Sequence, residues 1–394
     1  MKKFACFIGL LCFSLILFSQ DQIKITHGPY LHNVGETSAT IVWTTNKPAV
    51  SWVEIAPDDG THFYAKEREK FFDSPLGKKQ ITKLHRITAD NLSPATTYNF
   101  RVFSREVLKR GDNNQTLYGN VASSAVYKVE PLKFKTLDTS KKEIKFSVVN
   151  DIHADYKRLE SLLKQAPKDA DFLVLNGDMV SQMESEDQIM KGFLDTLVQY
   201  TKSSMPLFYA RGNHESRGNF SEEFIAYFPT PTGKPYYTFR QGKVFFIVLD
   251  GGEDKPDSDI EYFDTANFDK YRSDQAKWLQ SVIESDEYKG ASARIVITHI
   301  PPAWGSWHGS VDFKKKFAPI LNGANVDVIL SGHLHKHEFY PASSSGFEAP
   351  NVVNSNSDIM NVCVDSEEIK IDFVGADGKP SHPSKTFRLN SAKE

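Results

Sequence analysis

The sequence predicts an N-terminal all-β sandwich followed by an α/β domain with two packed mixed sheets flanked by helices. In the first third of the chain, short alternating apolar runs are separated by turn residues. After residue 143, strand-like and helix-like runs alternate, which is typical of an α/β domain. A length of 394 residues suits two domains. We expect a leader at 1–20, the sandwich at 21–137 and the α/β domain at 143–394.

The first twenty residues have the pattern of a secretory signal peptide. Lys2 and Lys3 precede an apolar run from 4 to 18, and Ser19 and Gln20 stand before a polar start. That run is shorter than the roughly twenty residues a membrane-spanning helix needs, so we expect cleavage. A membrane anchor or a lipid attached at Cys12 are the alternatives. The sequence thus predicts a secreted or periplasmic protein with no transmembrane segment in the mature chain.

The net charge and the cysteine content bear on the partners and the disulfides that can be expected. Without the leader, 45 basic and 50 acidic side chains remain, and the net charge is −5. That balance argues against nucleic acid as the main partner, because nonspecific nucleic-acid binding usually needs a basic surface. Only Cys363 remains in the mature chain, so no intrachain disulfide is expected there.

The sandwich is predicted from three alternating runs, 39–43, 52–55 and 98–102. Trp43 is expected to be its buried ring. The segment 92–98, Leu-Ser-Pro-Ala-Thr-Thr-Tyr, resembles the tyrosine corner of fibronectin type III domains. Residues 109–114 form a polar hairpin-like insertion, and 138–143 form a charged linker. The histidines of this region are scattered, and we expect surface or packing roles for them.

The α/β domain is predicted from the periodicity of its apolar residues. Strands are expected at 144–149, 172–175, 206–210, 244–249, 294–297 and 326–330. Helices are expected at 156–166, 188–200, 271–285 and 313–321. The tail, with apolar runs at 352–353, 361–364 and 369–373, is expected to add antiparallel strands that complete a second sheet.

Residue types that bind metals follow five of these strands. They read Asp151-Ile152-His153, Gly177-Asp178, Gly212-Asn213-His214-Glu215, His299 and Gly332-His333-Leu334-His335. Ligand sites of α/β sheets lie at the carboxyl ends of strands, and the three glycines permit tight turns and close backbone approach. Oxygen ligands mixed with imidazoles suit first-row divalent metals. The pattern predicts a dinuclear metallohydrolase that acts on a phosphate ester.

The ordered set of motifs resembles the calcineurin-like metallophosphoesterase superfamily. The preceding sandwich, with Gly28-Pro29-Tyr30-Leu31 near its start, resembles the arrangement of purple acid phosphatases. The resemblance implies two divalent transition metal ions, Mn, Fe or Zn. Asp178 would bridge them, and the remaining ligands would divide into two sets, Asp151, His153 and His335 for one metal and Asn213, His299 and His333 for the other.

Two positions depart from the purple acid phosphatase pattern. Ser181 stands where the resemblance implies a tyrosine, and His153 stands where it implies no histidine. A coloured iron–tyrosinate centre is therefore not expected. We expect metal ligands that follow the general pattern of the superfamily.

The same residues predict a mechanism. Two close metal ions lower the pKa of a bridging water, and the resulting hydroxide attacks phosphorus. His214, which is not needed as a ligand if Asn213 is one, is predicted to be the general acid. Glu215 is expected to support an imidazole, and Arg211 to contact phosphate or pair with Glu215. His308 resembles the additional phosphate-contacting histidine of purple acid phosphatases, with a surface role as the alternative.

Features around the predicted centre leave several alternatives open. Trp304 and Trp307 either flank the cleft or only pack. The segment 253–269 holds seven acids and one base, and a solvated loop is favoured over a lid. Hydrolysis of a small phosphomonoester is the leading prediction. A phosphodiesterase on the same site and a non-catalytic secreted binding protein are the alternatives.

Overall fold

The computed structural model describes residues 22–124, 129–302 and 304–392. The predicted signal peptide, residues 1–20, lies outside this described part. Within the described ranges, no helix is long and apolar enough to cross a membrane.

The N-terminal region is built from seven strands and one short 3-10 helix at Asp112–Asn114. The strands are β1 (Ile25–His32), β2 (Ala39–Pro57), β3 (Glu69–Phe71), β4 (Thr82–Ala89), β5 (Thr97–Arg110), β6 (Thr116–Ser123) and β7 (Leu132–Lys135). Two predicted strands, 39–43 and 52–55, are one continuous strand, β2. Its first part pairs with β4 and its second part with β5, so a single strand serves both halves of the β-rich domain.

Two predicted features of the sandwich are present. Trp43 is fully buried, and its Nε1 donates to Oγ of Ser104 at 2.9 Å, which satisfies the indole N–H inside the core. The backbone N–H of Ser93 donates to the hydroxyl oxygen of Tyr98 at 2.8 Å, the contact expected of a tyrosine corner. The insertion at 109–114 forms the tip of the β5–β6 hairpin.

The α/β domain follows the predicted alternation. Its strands are β8 (Ile144–Val149), β9 (Phe172–Asn176), β10 (Leu207–Ala210), β11 (Tyr237–Gln241), β12 (Val244–Leu249), β13 (Ala293–Thr298), β14 (Val328–Ser331), β15 (Glu338–Tyr340), β16 (Asn351–Val353), β17 (Asp358–Val364), β18 (Glu368–Gly375) and β19 (Pro380–Arg388). Its helices are α1 (Tyr156–Leu163), α2 (Glu186–Ile189), α3 (Asp195–Thr201), α4 (Phe224–Tyr227), α5 (Phe268–Ile283), α6 (Asp286–Lys289) and α7 (His308–Leu321). A π-helical segment, Met190–Leu194, joins α2 to α3, and 3-10 helices lie at His214–Ser216, Ser221–Glu223, Ile260–Tyr262 and Asn390–Ala392.

These strands form two mixed sheets, as predicted. The first sheet runs β19-β18-β17-β8-β9-β10 and continues through β1 into the N-terminal domain, while the second runs β11-β12-β13-β14-β16-β15. The tail differs from the expectation. Its strands β17 and β18 add antiparallel strands to the first sheet, beside β8, and only β16 joins the second.

The two sheets pack face to face on a layer of phenylalanine rings. Phe146, Phe172 and Phe208 come from the first sheet, and Phe239 and Phe246 come from the second. The rings of Phe208 and Phe239 stack at 3.7 Å, and Phe172 meets Phe246 edge to face at 5.4 Å. This layer fixes the two sheets relative to each other, so the loops at their carboxyl ends meet along one edge.

Candidate metal centre

All seven predicted ligands lie in loops that follow parallel strands, and the fold brings them together. Asp151 and His153 follow β8, Asp178 follows β9, Asn213 follows β10, His299 follows β13, and His333 and His335 follow β14. Backbone hydrogen bonds join these loops in pairs. The N–H of His153 donates to the carbonyl of Asp178 at 3.0 Å, and the N–H of Gly332 donates to that of His299 at 2.9 Å.

One group of ligand atoms comes from Asp151, His153 and His335, which lie close enough to hold a metal ion. Nε2 of His153 lies 3.0 Å from Nε2 of His335. Nε2 of His335 lies 3.3 Å from Oδ1 of Asp151. Three ligand atoms thus face one point.

A second group comes from Asp178, His299 and His333. Nε2 of His299 lies 3.0 Å from Oδ2 of Asp178. Oδ1 of Asn213 lies 3.1 Å from Nδ1 of His333, which places the amide beside this group. Asp178 also belongs to a third group, with His153 and His214, so its carboxylate lies between the two predicted metal positions.

The hydrogen bonds of the ligands leave free the atoms a metal would need. Oδ2 of Asp151 accepts from the backbone N–H of His333 at 2.8 Å, whereas its buried Oδ1 accepts no hydrogen bond from a described residue. Nδ1 of His299 lies 2.7 Å from the carbonyl oxygen of Asn176, so it carries the proton in the neutral ring. The buried Nε2 of His299 makes no hydrogen bond of good geometry within the described residues, and it lies 3.0 Å from Oδ2 of Asp178. Oδ1 of Asp151 and this Nε2 lie 3.9 Å apart. Because buried polar atoms without hydrogen bonds are costly, the residues present fit bound cations.

The pKa values of the predicted ligands also indicate a centre that attracts positive charge. Burial alone would lower the pKa of His299, but the carboxylates of Asp178 and Asp151 outweigh burial and raise it to about 10. Burial also opposes ionisation of Asp178, but His299 and then His214 hold its pKa well below the usual range. His333 differs, because burial and the neighbouring His299 lower its pKa to about 4. A proton on His299 therefore partly compensates the buried carboxylates when no metal is bound.

Five of the seven ligands have left-handed backbone conformations. The φ angles are 52° for Asp151, 51° for His153, 54° for Asp178, 71° for His333 and 56° for His335. Such angles are uncommon for residues other than glycine and cost of order 1–3 kcal/mol each when strained. The surrounding loops hold them in place, which is typical of a preorganised site.

Two of the predicted glycines are required by close packing. A Cβ on Gly177 would lie 2.4 Å from the ring of His299, and one on Gly212 would lie 2.2 Å from Oδ1 of Asp178. Any side chain at either position would displace a ligand.

Glu215 has a different role from the one expected. It is 1 % exposed, and instead of an imidazole it binds backbone N–H groups. Its Oε1 accepts from Met179 at 2.7 Å, and its Oε2 accepts from Asp178 and Gly212 at 2.9 Å each. The hydroxyl of Tyr209 also donates to Oε1 at 2.8 Å. Glu215 therefore fastens the loop of Asp178 to the loop of Asn213.

Arg211 does not pair with Glu215. Its Nη2 lies 2.7 Å from Oδ2 of Asp250, and its guanidinium lies over the ring of Tyr271. The hydroxyl of Tyr271 donates to the same carboxylate oxygen at 2.6 Å. The alternative that Arg211 pairs with Glu215 is wrong, because Asp250 occupies its guanidinium.

The ring of His214 is oriented towards the centre. Its Nδ1 lies 2.6 Å from the carbonyl oxygen of Ser181, so Nδ1 carries the proton and Nε2 faces the cleft. Nε2 lies 3.8 Å from Oδ2 of Asp178. By distance alone His214 could also be a ligand, since it groups with His153 and Asp178.

An open cleft of about 470 Å³ leads to the centre. Trp304 and Trp307 line it, as predicted for residues that flank the cleft. Asp254 of the acidic segment lines it too. Most of 255–269 is exposed or partly exposed, as expected of a solvated loop, but Glu253 and Asp254 are 1 % and 3 % exposed, so the prediction fails at these two acids. The remaining lining residues are Asp178, Asn213, His214, Arg217, Lys255, Glu261, Leu334 and the cluster His333, His335 and Lys336.

His308 is not among the residues that line the cleft. It is the first residue of α7, and its Nε2 lies 2.7 Å from Oδ1 of Asp269 in α5. This hydrogen bond joins two helices, and it does not support the catalytic role predicted for His308.

Two residues that position the site were missed. Nη2 of Arg158 donates to the carbonyls of Asp151 and Ile152 at 2.9 and 2.7 Å and so supports their loop. Arg217 lines the cleft and forms a two-point ion pair with Glu253. Neither lies in a ligand motif, although Arg217 stands two residues after Glu215.

Comparisons with known proteins agree with this architecture. Residues 144–337 match the family Calcineurin-like phosphoesterase, and residues 27–130 match the Purple acid Phosphatase N-terminal domain. Serine/threonine-protein phosphatase CPPED1 of Mus musculus is 26% identical over 196 residues, which cover 48% of this chain and 60% of that protein. Purple acid phosphatase 18 of Arabidopsis thaliana is 22% identical over 353 residues, 84% of this chain and 70% of that protein.

The fold itself is similar to a solved structure. A purple acid phosphatase from yellow lupin seeds superimposes with a TM-score of 0.63 at 14% identity, over 91% of this chain and 74% of that one. At this identity the likeness concerns the fold alone. It extends through both domains, which agrees with the predicted order of sandwich and α/β domain.

Proposed function

We propose that this chain, which carries a calcineurin-like phosphoesterase domain at residues 144–337 and a purple acid phosphatase N-terminal domain at residues 27–130, is a secreted metal-dependent phosphomonoesterase. The observation that carries the proposal is the approach of Oδ1 of Asp151 and Nε2 of His299, two buried atoms 3.9 Å apart that make no hydrogen bond with any described residue. Both atoms are of a type that binds metal ions, and Nε2 of His299 also lies 3.0 Å from Oδ2 of Asp178.

The proposed metal assignment divides the predicted ligands into two sets. Asp151, His153 and His335 would hold one ion, and their ligand atoms form one group. Asn213, His299 and His333 would hold the second, and Asp178 would be shared by the two. Divalent metals bound there would polarise the phosphoryl group and supply an activated water as nucleophile. The backbone of His214 donates to Oδ1 of Asp178 at 3.0 Å, which orients this shared carboxylate.

His214 is the proposed general acid. A leaving alkoxide needs a proton, and a neutral imidazole with Nδ1–H bound to a carbonyl can take up and deliver one at Nε2. The carbonyl of Ser181 holds the ring in that orientation. His214 lines the cleft, which supports a role beside the leaving group.

Ser181 also bears on the choice of metals. A serine at this position provides no phenolate, so no tyrosinate-to-iron charge-transfer band is expected. Manganese, zinc or iron without a tyrosine ligand are the proposed ions.

The test is turnover with defined metals. The purified mature chain, stripped of metal and reloaded with Mn²⁺, Zn²⁺ or Fe²⁺, should hydrolyse p-nitrophenyl phosphate and alkyl phosphates faster than bis(p-nitrophenyl) phosphate. Preference for the diester would assign the same site to a phosphodiesterase. Two bound metals with no turnover of any ester would favour a binding protein.

A further inference from the structure

The outer wall of the cleft carries an acid whose charge is not compensated. Arg217 is occupied by Glu253, since Nε and Nη2 donate to the two carboxylate oxygens at 2.8 Å each. Asp254 lies beside this pair, 3.8 Å from Nη2 of Arg217, and its buried Oδ1 has no hydrogen-bond partner among the residues that the structure describes. Asp254 is only 3 % exposed, and it lines the cleft. One guanidinium thus stands against two carboxylates, which leaves one negative charge.

The other cations of the wall do not supply the missing charge. Nζ of Lys255 lies 2.5 Å from Oε1 of Glu261, and Nζ of Lys336 lies 2.6 Å from Oε1 of Glu338. Each lysine is therefore neutralised by its own partner. Burial and then the neighbouring carboxylate of Glu253 raise the pKa of Asp254, and Arg217 and Lys255 offset only part of this increase. A ligand with a positive charge would relieve both effects.

Two indole rings stand in the same cleft. Trp304 and Trp307 have ring centroids 6.1 Å apart at an interplanar angle of 48°, so their faces form an open wedge. Trp307 is 47% exposed, which is unusual for so large an apolar side chain. Trp304 contacts the ring of the ligand His333, with centroids 5.9 Å apart. The wedge therefore extends outward from the metal centre.

A tryptophan wedge and an uncompensated carboxylate in one cleft are what an alkylammonium group requires. Cations bind over indole faces, and quaternary ammonium ions in particular are recognised by aromatic side chains. A cation beside Asp254 would also restore the balance of charge.

We propose that this wall binds the ammonium end of the substrate, and that the chain hydrolyses phosphate monoesters of amino alcohols, of which phosphocholine is the probe. This inference rests on the proposed phosphatase function, because the metal centre must hold the phosphoryl end. In the reaction, water adds to phosphorus and the bond from phosphorus to the alcohol oxygen breaks. The alcohol leaves with a proton, and inorganic phosphate remains.

The test compares two substrates of the same shape. Phosphocholine and 3,3-dimethylbutyl phosphate differ only in the positive charge on the branched end. The metal-loaded chain should show a kcat/KM for phosphocholine roughly tenfold higher, which is within the range of a cation–π contact. The difference should lie mainly in KM, because the ammonium group contacts the wall in both ground and transition states.

Three variants assign the effect to the wall. Asp254→Asn and Trp307→Leu should each reduce the ratio of the two kcat/KM values towards one. Asp264→Asn removes an exposed acid from the same loop, outside the cleft lining, and should leave the ratio unchanged. Thermal melting checks that each variant folds, and Trp307→Leu keeps the test open if Asp254→Asn does not fold.

Binding of choline alone gives a readout that needs no turnover. Tryptophan fluorescence of the full chain, with and without metal, should change on titration with choline, and the change should be lost in Trp307→Leu. Equal kcat/KM values for the two substrates would overturn the inference while leaving the phosphatase function intact. A preference for phosphoglycolate over both would also overturn it and assign the wall to Lys255 and Lys336. If no ester is hydrolysed, the proposed phosphatase function fails. Choline binding then tests the wall by itself: binding that depends on Asp254 and Trp307 supports an ammonium site, and its absence overturns one.

Discussion

Nε2 of His299 lies 3.0 Å from Oδ2 of Asp178, while its Nδ1 is directed at the carbonyl of Asn176. The backbone thus fixes the tautomer of the imidazole and directs its second nitrogen at the carboxylate proposed to bridge two metals. A hydrogen bond from the other ring nitrogen of a histidine ligand orients the ring and increases its basicity.

Asp178→Asn should weaken both metal positions, because it removes the negative charge between them. We expect elemental analysis to find up to two transition metals per wild-type chain and markedly fewer in the variant. Full occupancy of both positions in Asp178→Asn would contradict the bridging assignment. No purple band should appear in the visible spectrum of the wild-type protein, since Ser181 offers no phenolate.

Metal affinity should rise with pH across the neutral range. In the metal-free chain the pKa of His299 is about 10, above its ordinary value of 6.5, so Nε2 is protonated at pH 7 and must lose that proton to bind a metal. Affinity for Mn²⁺ should therefore increase by about tenfold per pH unit for each proton released. Titration calorimetry at pH 7, 8 and 9 would measure this, and an affinity independent of pH would refute it.

The raised pKa of His299 should also make the stability of the protein without metal fall as pH rises. A raised pKa stabilises the folded chain fully below pH 6.5, and that contribution is lost as pH rises towards 10. The melting temperature of the metal-free protein should fall over this interval. Saturating metal should abolish the dependence that comes from His299.

His214→Ala should reduce kcat on alkyl phosphates by about 10²–10⁴-fold, the usual range for general-acid catalysis. The loss should be smaller on p-nitrophenyl phosphate, because its leaving phenolate is stable without a proton. Metal content should stay intact. Equal losses on both substrates would remove the proton-donor role, and a loss of metal would make His214 a ligand.

His308→Ala is the matched control for that experiment. Its side chain pairs with Asp269 and lies outside the cleft lining, so rates on both substrates should stay near those of the wild type. A selective loss on alkyl phosphates in this variant would restore the catalytic role predicted from the sequence.

Glu215→Gln should destabilise the protein, because an amide NH₂ would face backbone N–H groups that now have a carboxylate acceptor. Each buried N–H left without an acceptor costs about 1–3 kcal/mol. The free energy of unfolding, measured with denaturant, should fall accordingly, and metal affinity with it. Glu284→Gln, at an exposed site, should change neither.

A fragment that starts near Ser140 should be poorly stable. Strand β1 pairs with β10 of the α/β domain, and the buried hydroxyl of Tyr30 donates to the carbonyl of Tyr227 at 2.7 Å. Removing the N-terminal domain exposes an apolar core that both domains share. Calorimetry of the fragment should show a lower melting temperature. If the fragment folds, it should still bind metal, since all predicted ligands follow residue 150.

Much of the centre was predictable because its signals are local. A buried strand is marked by a short apolar run, and a ligand directly after it is marked by its position. Asp151, Asp178 and His299 could be found in this way, and the fold brings their side chains close together. Their assignment to particular metals stays a prediction, as do the domain boundaries at 137 and 143 and the cleavage of residues 1–20.

The pairing of charged side chains that are far apart in sequence was decided by the tertiary structure alone. Arg211 and Asp250 are distant in sequence, as are His308 and Asp269, and no local pattern marks which charge meets which. The sequence by itself determined the succession of strands and helices along the α/β domain, the types of candidate ligand and their place after strands, because these depend on periodicity and chain polarity. The packing of the two sheets and their loops decided the rest. It decided which acids are buried, which cations are paired, and that the negative charge of Asp254 is not compensated. Burial and pairing depend on neighbours that only the folded chain brings together.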